Sequence, residues 1–108
     1  MGQDEMAKLE EAANSKTWSE RITAAESPEC PPHLLEKLSE DRSYKVRVAV
    51  AQNPNTPATA LAKLAEDKSG WVRNWVAQNP NTPATALAKL AEDKEWRVRR
   101  GVAQTPST

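Results

Sequence analysis

The chain of 108 residues has no phenylalanine, one isoleucine (Ile22), one histidine (His33) and one cysteine (Cys30). Its aliphatic side chains are mostly Ala, Leu and Val, so close packing has to come from small groups on short elements, which favours helices. A lone cysteine forms no internal disulfide and suits a reducing cytoplasm or a tolerant extracellular site equally well; the cytoplasm is the expected location. No apolar run approaches the ~20 residues that span a bilayer, and there is no signal-peptide core, so no membrane partner is expected. "MGQDEM" begins like a myristoylation site but carries Met6 where Ser or Thr is required.

The same scarcity removes most catalytic chemistry. One histidine makes no dyad, Ser27 and Ser39 lack a glycine-rich elbow, and no phosphate-binding loop is present. Cys30 and His33 in "CPPH" offer two metal ligands, too few for a structural zinc site. Glu66 and Asp67 are neighbours on a helix end and do not face one another. The chain is expected to be no enzyme, with no metal and no cofactor.

What is present is repetition. Residues 50–68 and 76–94 both read "VAQNPNTPATALAKLAEDK", an offset of 26 residues. The offset extends to "SYKVRVAVAQNPNTP", "SGWVRNWVAQNPNTP" and "EWRVRRGVAQTPST", with "SPECPPHLLEKLSEDR" and a weaker "TWSERITAAESP" upstream. The chain is therefore one domain, 1–108, with a degenerate unit over about 6–30 and repeats at 31–56, 57–82 and 83–108.

Within a unit, Pro57, Leu61, Leu64 and Ala65 share one helix face. Pro57 suits the first helical position, and Thr56 and Thr82 are expected to cap the helices that follow, with Cys30 a poor substitute. A second element carries Val46, Ala49 and Val50 and ends near Gln52, because Pro54 biases Asn53 away from helix; it reads as α or 3₁₀. Asp41, Asp67 or Asp93, or the serine two residues later, is expected to cap its start. Both elements fall below the ~12 to 15 residues at which an isolated helix becomes marginal, so stacking must stabilise them.

"VRNWVAQNPNTPATALAKLAED" resembles the leucine-rich repeat variant family, whose units read approximately V-R-x-x-V-A-x-N-P-x-T-P-x-x-L-L-x-x-L-A-x-D. The likeness covers 28–108 well and 17–27 faintly. It implies an all-α fold: a right-handed α-solenoid of alternating α and 3₁₀ helices, related in style to HEAT repeats. The family's founding protein also holds an iron-sulfur cluster on an N-terminal cysteine cluster, which a chain with only Cys30 cannot reproduce.

Charge is zero overall but uneven. Residues 1–44 hold ten acids against five bases, and residues 45–108 hold five acids against ten bases. Arg47, Arg73 and Arg99 follow Asp41, Asp67 and Asp93 by six residues, and read either as a phosphate-binding stripe or, the favoured reading, as an Asp/Arg ladder between units. Arg97 and Arg100 in "WRVRR" extend the stripe, with Lys45 at the matching place one unit earlier.

Trp18, Tyr44, Trp71 and Trp96 supply one aromatic per unit and are expected mainly to pack between layers. Trp75 lies four residues from Trp71 on the same face, either filling a gap or anchoring a partner. Asn53 and Asn79, with Gln52, Gln78 and Gln104, are expected to satisfy turn backbone groups. Leu87, Leu90, Val98 and Val102 are expected to leave a partly open apolar end, which makes the chain either a fragment of a longer array or one that self-associates through that end.

The function expected is a non-catalytic module that binds protein, with Trp71 and Trp75 as the candidate site. The alternative is nucleic-acid backbone binding through Arg73, Arg97, Arg99 and Arg100.

Overall fold

A computed structural model describes residues 2–104, in which all regular structure is helical and no strand occurs among the described residues. Eight helices follow in order: α1 (Gln3–Ala13), α2 (Trp18–Glu26), α3 (Pro32–Leu38), α4 (Tyr44–Gln52), α5 (Ala58–Leu64), α6 (Gly70–Gln78), α7 (Ala84–Leu90) and α8 (Trp96–Ala103). The even-numbered helices form the tighter row, each packing most extensively on the next. Of the odd-numbered helices, α1 packs on α2 as closely as the even helices pack on one another, whereas α3, α5 and α7 make sparser contacts. The molecule measures 42 × 24 × 18 Å.

Both kinds of element are α-helical, so the expected alternation with 3₁₀ helices is not found. The tighter i to i+3 bonding is confined to helix ends and turns, as where Glu66 N–H donates to Lys63 O and Asp67 N–H to Leu64 O, both at 3.1 Å. Helix α1 also begins earlier than expected, at Gln3, and at 11 residues it is the longest.

The prolines act one position earlier than the sequence suggests. Pro57 sits outside helix α5 as its N-cap, with φ −68° and ψ 153°, and accepts the first helical bond from Leu61 N–H. Thr56 therefore does not cap α5. Its fully buried hydroxyl turns back and donates to Val50 O at 2.6 Å, as Thr82 does to Val76 O.

The reason lies in Pro54, which lacks the N–H that would continue the helical ladder to Val50 O. That carbonyl takes Asn53 N–H at 3.1 Å and the Thr56 hydroxyl instead, which fills both lone pairs. Helix α4 ends at Gln52 with Asn53 extended, as a residue before proline is expected to be.

The core is a continuous stripe of small aliphatics: Leu35, Leu38, Leu61, Leu64 and Leu90 from the odd helices against Val46, Val50, Val72, Val76 and Val98 from the even ones. Each such side chain contributes roughly 1.5–3 kcal/mol on burial. Of the four residues expected at an open end, Leu90 and Val98 are fully enclosed, whereas Leu87 and Val102 are half-buried. Residues 105–108, the last of the final repeat, lie outside the described residues.

Two polar ladders tie the layers together. Asn79 Nδ2 donates to Ala51 O at 2.7 Å and to Asn53 O at 2.9 Å, while its Oδ1 accepts Asn81 N–H at 2.8 Å. Asn53 repeats this on Ala25 O and Ser27 O, at 2.8 and 2.9 Å. One side chain thus satisfies backbone groups of its own turn and of the preceding layer.

Arginines form the second ladder. Arg47 Nη1 donates to the Asp41 carbonyl at 2.7 Å, and its Nε to Asp67 Oδ2 at 2.7 Å. Arg73 does the same with Asp67 O and Asp93 Oδ2, and Arg21 with Ser15 O and Asp41 Oδ2. Each aspartate also accepts the N–H two residues on, which shapes the turn before the next helix; Ser43 then caps α4 by accepting Lys45 N–H.

Candidate functional site

Outside the identical 19-residue text, the units differ at the first two turns of the even helices: "SYKVRVA", "SGWVRNW" and "EWRVRRG". Valine and arginine are common to all three and point into the core and the arginine ladder. The remaining positions supply the exposed aromatics. Trp18, Tyr44, Trp71 and Trp96 are 45, 45, 52 and 58% exposed, so they do not pack between layers as expected.

The placement follows from helix geometry. In α4, Tyr44 and Lys45 precede the buried Val46 and Arg47, and one turn later Val48 is half-buried. In α6 the same register brings Gly70, Trp71, Asn74 and Trp75 to the surface side. Trp71 thus occupies the place of Lys45 and Arg97, and Gly70 stands where the other units carry an aromatic.

Cations stack on these rings across layers. Lys45 Nζ lies 4.4 Å from the Trp18 ring centroid, and the Arg97 guanidinium lies 4.7 Å from that of Trp71. Arg97 is also 5.9 Å from Trp96, and Arg100 is 6.0 Å from it. Such pairs are worth roughly 0.5–1 kcal/mol at exposed sites, enough to orient rings without hiding them.

Two open hollows lie side by side on this face, with Trp71 as the ridge between them. The first, about 290 Å³, is lined by Ile22, Tyr44, Lys45, Val48, Trp71 and Trp75. The second, about 270 Å³, is lined by Trp71, Asn74, Gln78, Trp96, Arg97, Arg100 and Gln104. Apolar character dominates one and cationic character the other.

The slot at Gly70 is taken by Glu95. A Cβ built on Gly70 would lie 2.6 Å from both Glu95 carboxylate oxygens, and Glu95 Oε2 is 3.4 Å from Arg73 Nη2. Glu95 thereby joins the arginine ladder at its α8 end. Burial pushes the Asp93 carboxyl up, but the Arg73 guanidinium and the Glu95 N–H outweigh it and hold the group below its ordinary value.

The structure therefore separates the residues that sequence reasoning had grouped. Trp71, Trp75, Arg97 and Arg100 come together around the hollows. Arg73 does not: it is 6% exposed and held by Asp93. Arg99 is exposed and donates to the Asp93 carbonyl, in the register of the ladder. Sequence reasoning placed Trp18, Tyr44 and Trp96 between layers; the signal that they are surface groups was their position among the residues that vary from unit to unit.

No group of three or more metal-ligating side chains occurs among the described residues, and none of their helices is long and apolar enough to cross a membrane. Cys30 is buried, and desolvation pushes its thiol up to about 11. Comparison with known proteins gives one family: residues 44–69 match that described as Leucine rich repeat variant. No curated protein matches the chain, and no solved structure does. The matched segment runs from the first residue of α4 through α5 to Ser69, the N-cap of α6, and over that segment the chain is similar to the leucine-rich repeat variant family.

Proposed function

We propose that the chain is a non-catalytic interaction module, a right-handed α-solenoid of 26-residue helix pairs that binds protein through the exposed side of α2, α4, α6 and α8. The observation that carries this reading is the row of aromatics, each about half exposed, along the even helices, where the last two repeats differ most. Exposed Trp, Tyr and Arg are the side chains that most often anchor protein interfaces.

A nucleic-acid backbone has less to hold. Arg73 is committed to Asp93, which leaves Arg97 and Arg100 as the cations at the second hollow, on a chain of zero net charge. Affinity capture tests the two together. A protein retained by the wild type and by Lys63→Ala, but lost by Trp71→Ala with Arg97→Ala, supports the reading. Recovery of nucleic acid, or capture indifferent to the double variant, overturns it.

A further inference from the structure

We infer that this face takes a proline-rich segment in the polyproline II conformation, laid across the even-numbered helices, with an acidic residue at the α8 end. The inference rests on the reading of this face as protein-binding and names the class of partner.

Spacing is the first argument. Consecutive even helices are packed neighbours, and packed helices lie about 8–10 Å apart. A polyproline II segment has three residues per turn and rises about 3.1 Å per residue, so it repeats every ~9.3 Å. Every third residue therefore meets the next layer in the same orientation. An α-helix repeats every ~5.4 Å and a β-strand presents one face every ~6.6 Å, so neither keeps step with the layers.

Shape is the second. The hollows flank the Trp71 ridge, with Tyr44 and Trp75 bounding the first and Trp96 the second. Aromatic ridges with hollows between them are what proline rings lodge against. A polyproline II backbone makes no internal hydrogen bonds, so its carbonyls need donors. The amide of Asn74 brings N–H groups to the second hollow, and Gln78, whose Nε2 donates to Asn74 Oδ1 at 3.3 Å, has a second N–H there.

Charge sets the direction. Arg97 and Arg100 line the second hollow, and no acid is among its lining residues. An acidic residue of the partner is complementary there. Base stacking is the competing use of exposed rings, and oligo(dT) is the probe that tests it.

The four tryptophans all lie on the even helices, so their emission reports on this face directly. The probes are a decaproline peptide with an Asp-Asp pair at its carboxyl end and one with the pair at its amino end. Controls are decaproline with a Lys-Lys pair, a Gly/Ser peptide of equal length with Asp-Asp, and oligo(dT). One acidic decaproline is expected to change the emission saturably. The Lys-Lys and Gly/Ser peptides, and the variants Trp96→Ala and Arg97→Gln with helix content checked by circular dichroism, are each expected to bind about tenfold more weakly.

Equal binding of the Gly/Ser peptide, or tighter binding of oligo(dT), overturns the inference. If neither acidic decaproline binds while a captured protein still depends on Trp71 and Arg97, the polyproline II inference falls and the protein-binding face stands. If no captured protein depends on them, both fall.

Discussion

Arg47 donates its Nε to Asp67, twenty residues ahead in the next layer, and its Nη1 to the backbone carbonyl of Asp41, six residues behind. One planar guanidinium thus bonds two successive turns, with side chains about one-tenth exposed. Removing one partner leaves the other charge buried without compensation. Asp67→Ala is expected to cost about 3 kcal/mol, a magnitude typical of a broken buried pair. Arg99→Ala, at an exposed side chain, is expected to cost less than about 1 kcal/mol. Urea unfolding of both variants measures the contrast, and equal costs would refute the role given to the ladder.

Acid should weaken the α6 to α8 junction through Asp93. Its folded pKa lies below the ordinary value of 3.8, so its contribution is fully present above about pH 4 and is lost as pH falls through the lower folded value. Unfolding midpoints followed from pH 7 down to about pH 2 should fall less steeply in Asp93→Asn than in the wild type. An unchanged acid limb would show that the junction does not titrate through this group.

Asn79 is expected to be costly to remove although it carries no charge. It is 4% exposed, donates to two carbonyls of the preceding turn and accepts one N–H of its own. Asn79→Ala removes the partner of Ala51 O and of Asn81 N–H, while Asn53 O keeps the Thr56 N–H, at about 1–3 kcal/mol of desolvation for the worse placed of the two. The prediction is a loss of at least ~2 kcal/mol, with hydrogen exchange accelerated at the Asn81 amide. Slow exchange there in the variant would argue that water replaces the side chain.

Two glycines should respond to alanine with opposite signs. At Gly70 a new Cβ meets only the end of the flexible Glu95 side chain, which can swing away, so Gly70→Ala gains part of the ~1 kcal/mol of helix propensity. At Gly101 the Cβ meets Asn74 Oδ1 at 3.0 Å, Ala77 Cβ at 3.2 Å and the Asn74 carbonyl at 3.4 Å. Crowding of that kind costs roughly 1–3 kcal/mol and should outweigh the propensity gain. Thermal melts of the pair decide it; a stabilised Gly101→Ala would mean the α6 to α8 packing gives way easily.

Cys30 should be silent toward alkylating reagents in the folded chain. It is 3% exposed, and its thiol is pushed up to about 11 by burial, so thiolate is scarce at neutral pH. Labelling is expected to appear only as denaturant opens the α2 to α3 turn. Rapid labelling without denaturant would show that this turn opens on its own.

The helical character and the end of α4 at Gln52 were legible because Pro54 and the 3.6-residue spacing act locally. Thr56 was misread for the same reason. A local rule makes a threonine before proline an N-cap, but the carbonyl orphaned by Pro54 competes for its hydroxyl and wins. The second element, which its residues left open as α or 3₁₀, is α-helical, so the alternation with 3₁₀ helices that the resemblance implied is not found.

Among the candidate site residues, Arg73 and Arg97 look alike in sequence. One residue separates them in register: Arg73 follows buried Val72 and faces the ladder, while Arg97 precedes buried Val98 and faces the hollow. Trp18, Tyr44 and Trp96 sit at helix starts, where periodicity alone does not say whether the first residue packs inward or outward.

The reach of Arg47 past its own turn bears on how such a gene can change length. Because each guanidinium finds its carboxylate twenty residues downstream, inserting or excising whole 26-residue units leaves all these pairings intact, whereas an indel of a size that is not a multiple of 26 between Arg47 and Asp67 would put the wrong side chain opposite the arginine. Growth by whole-unit duplication is thus a route the bonding pattern permits, and the two verbatim 19-residue stretches are the trace such an event would leave.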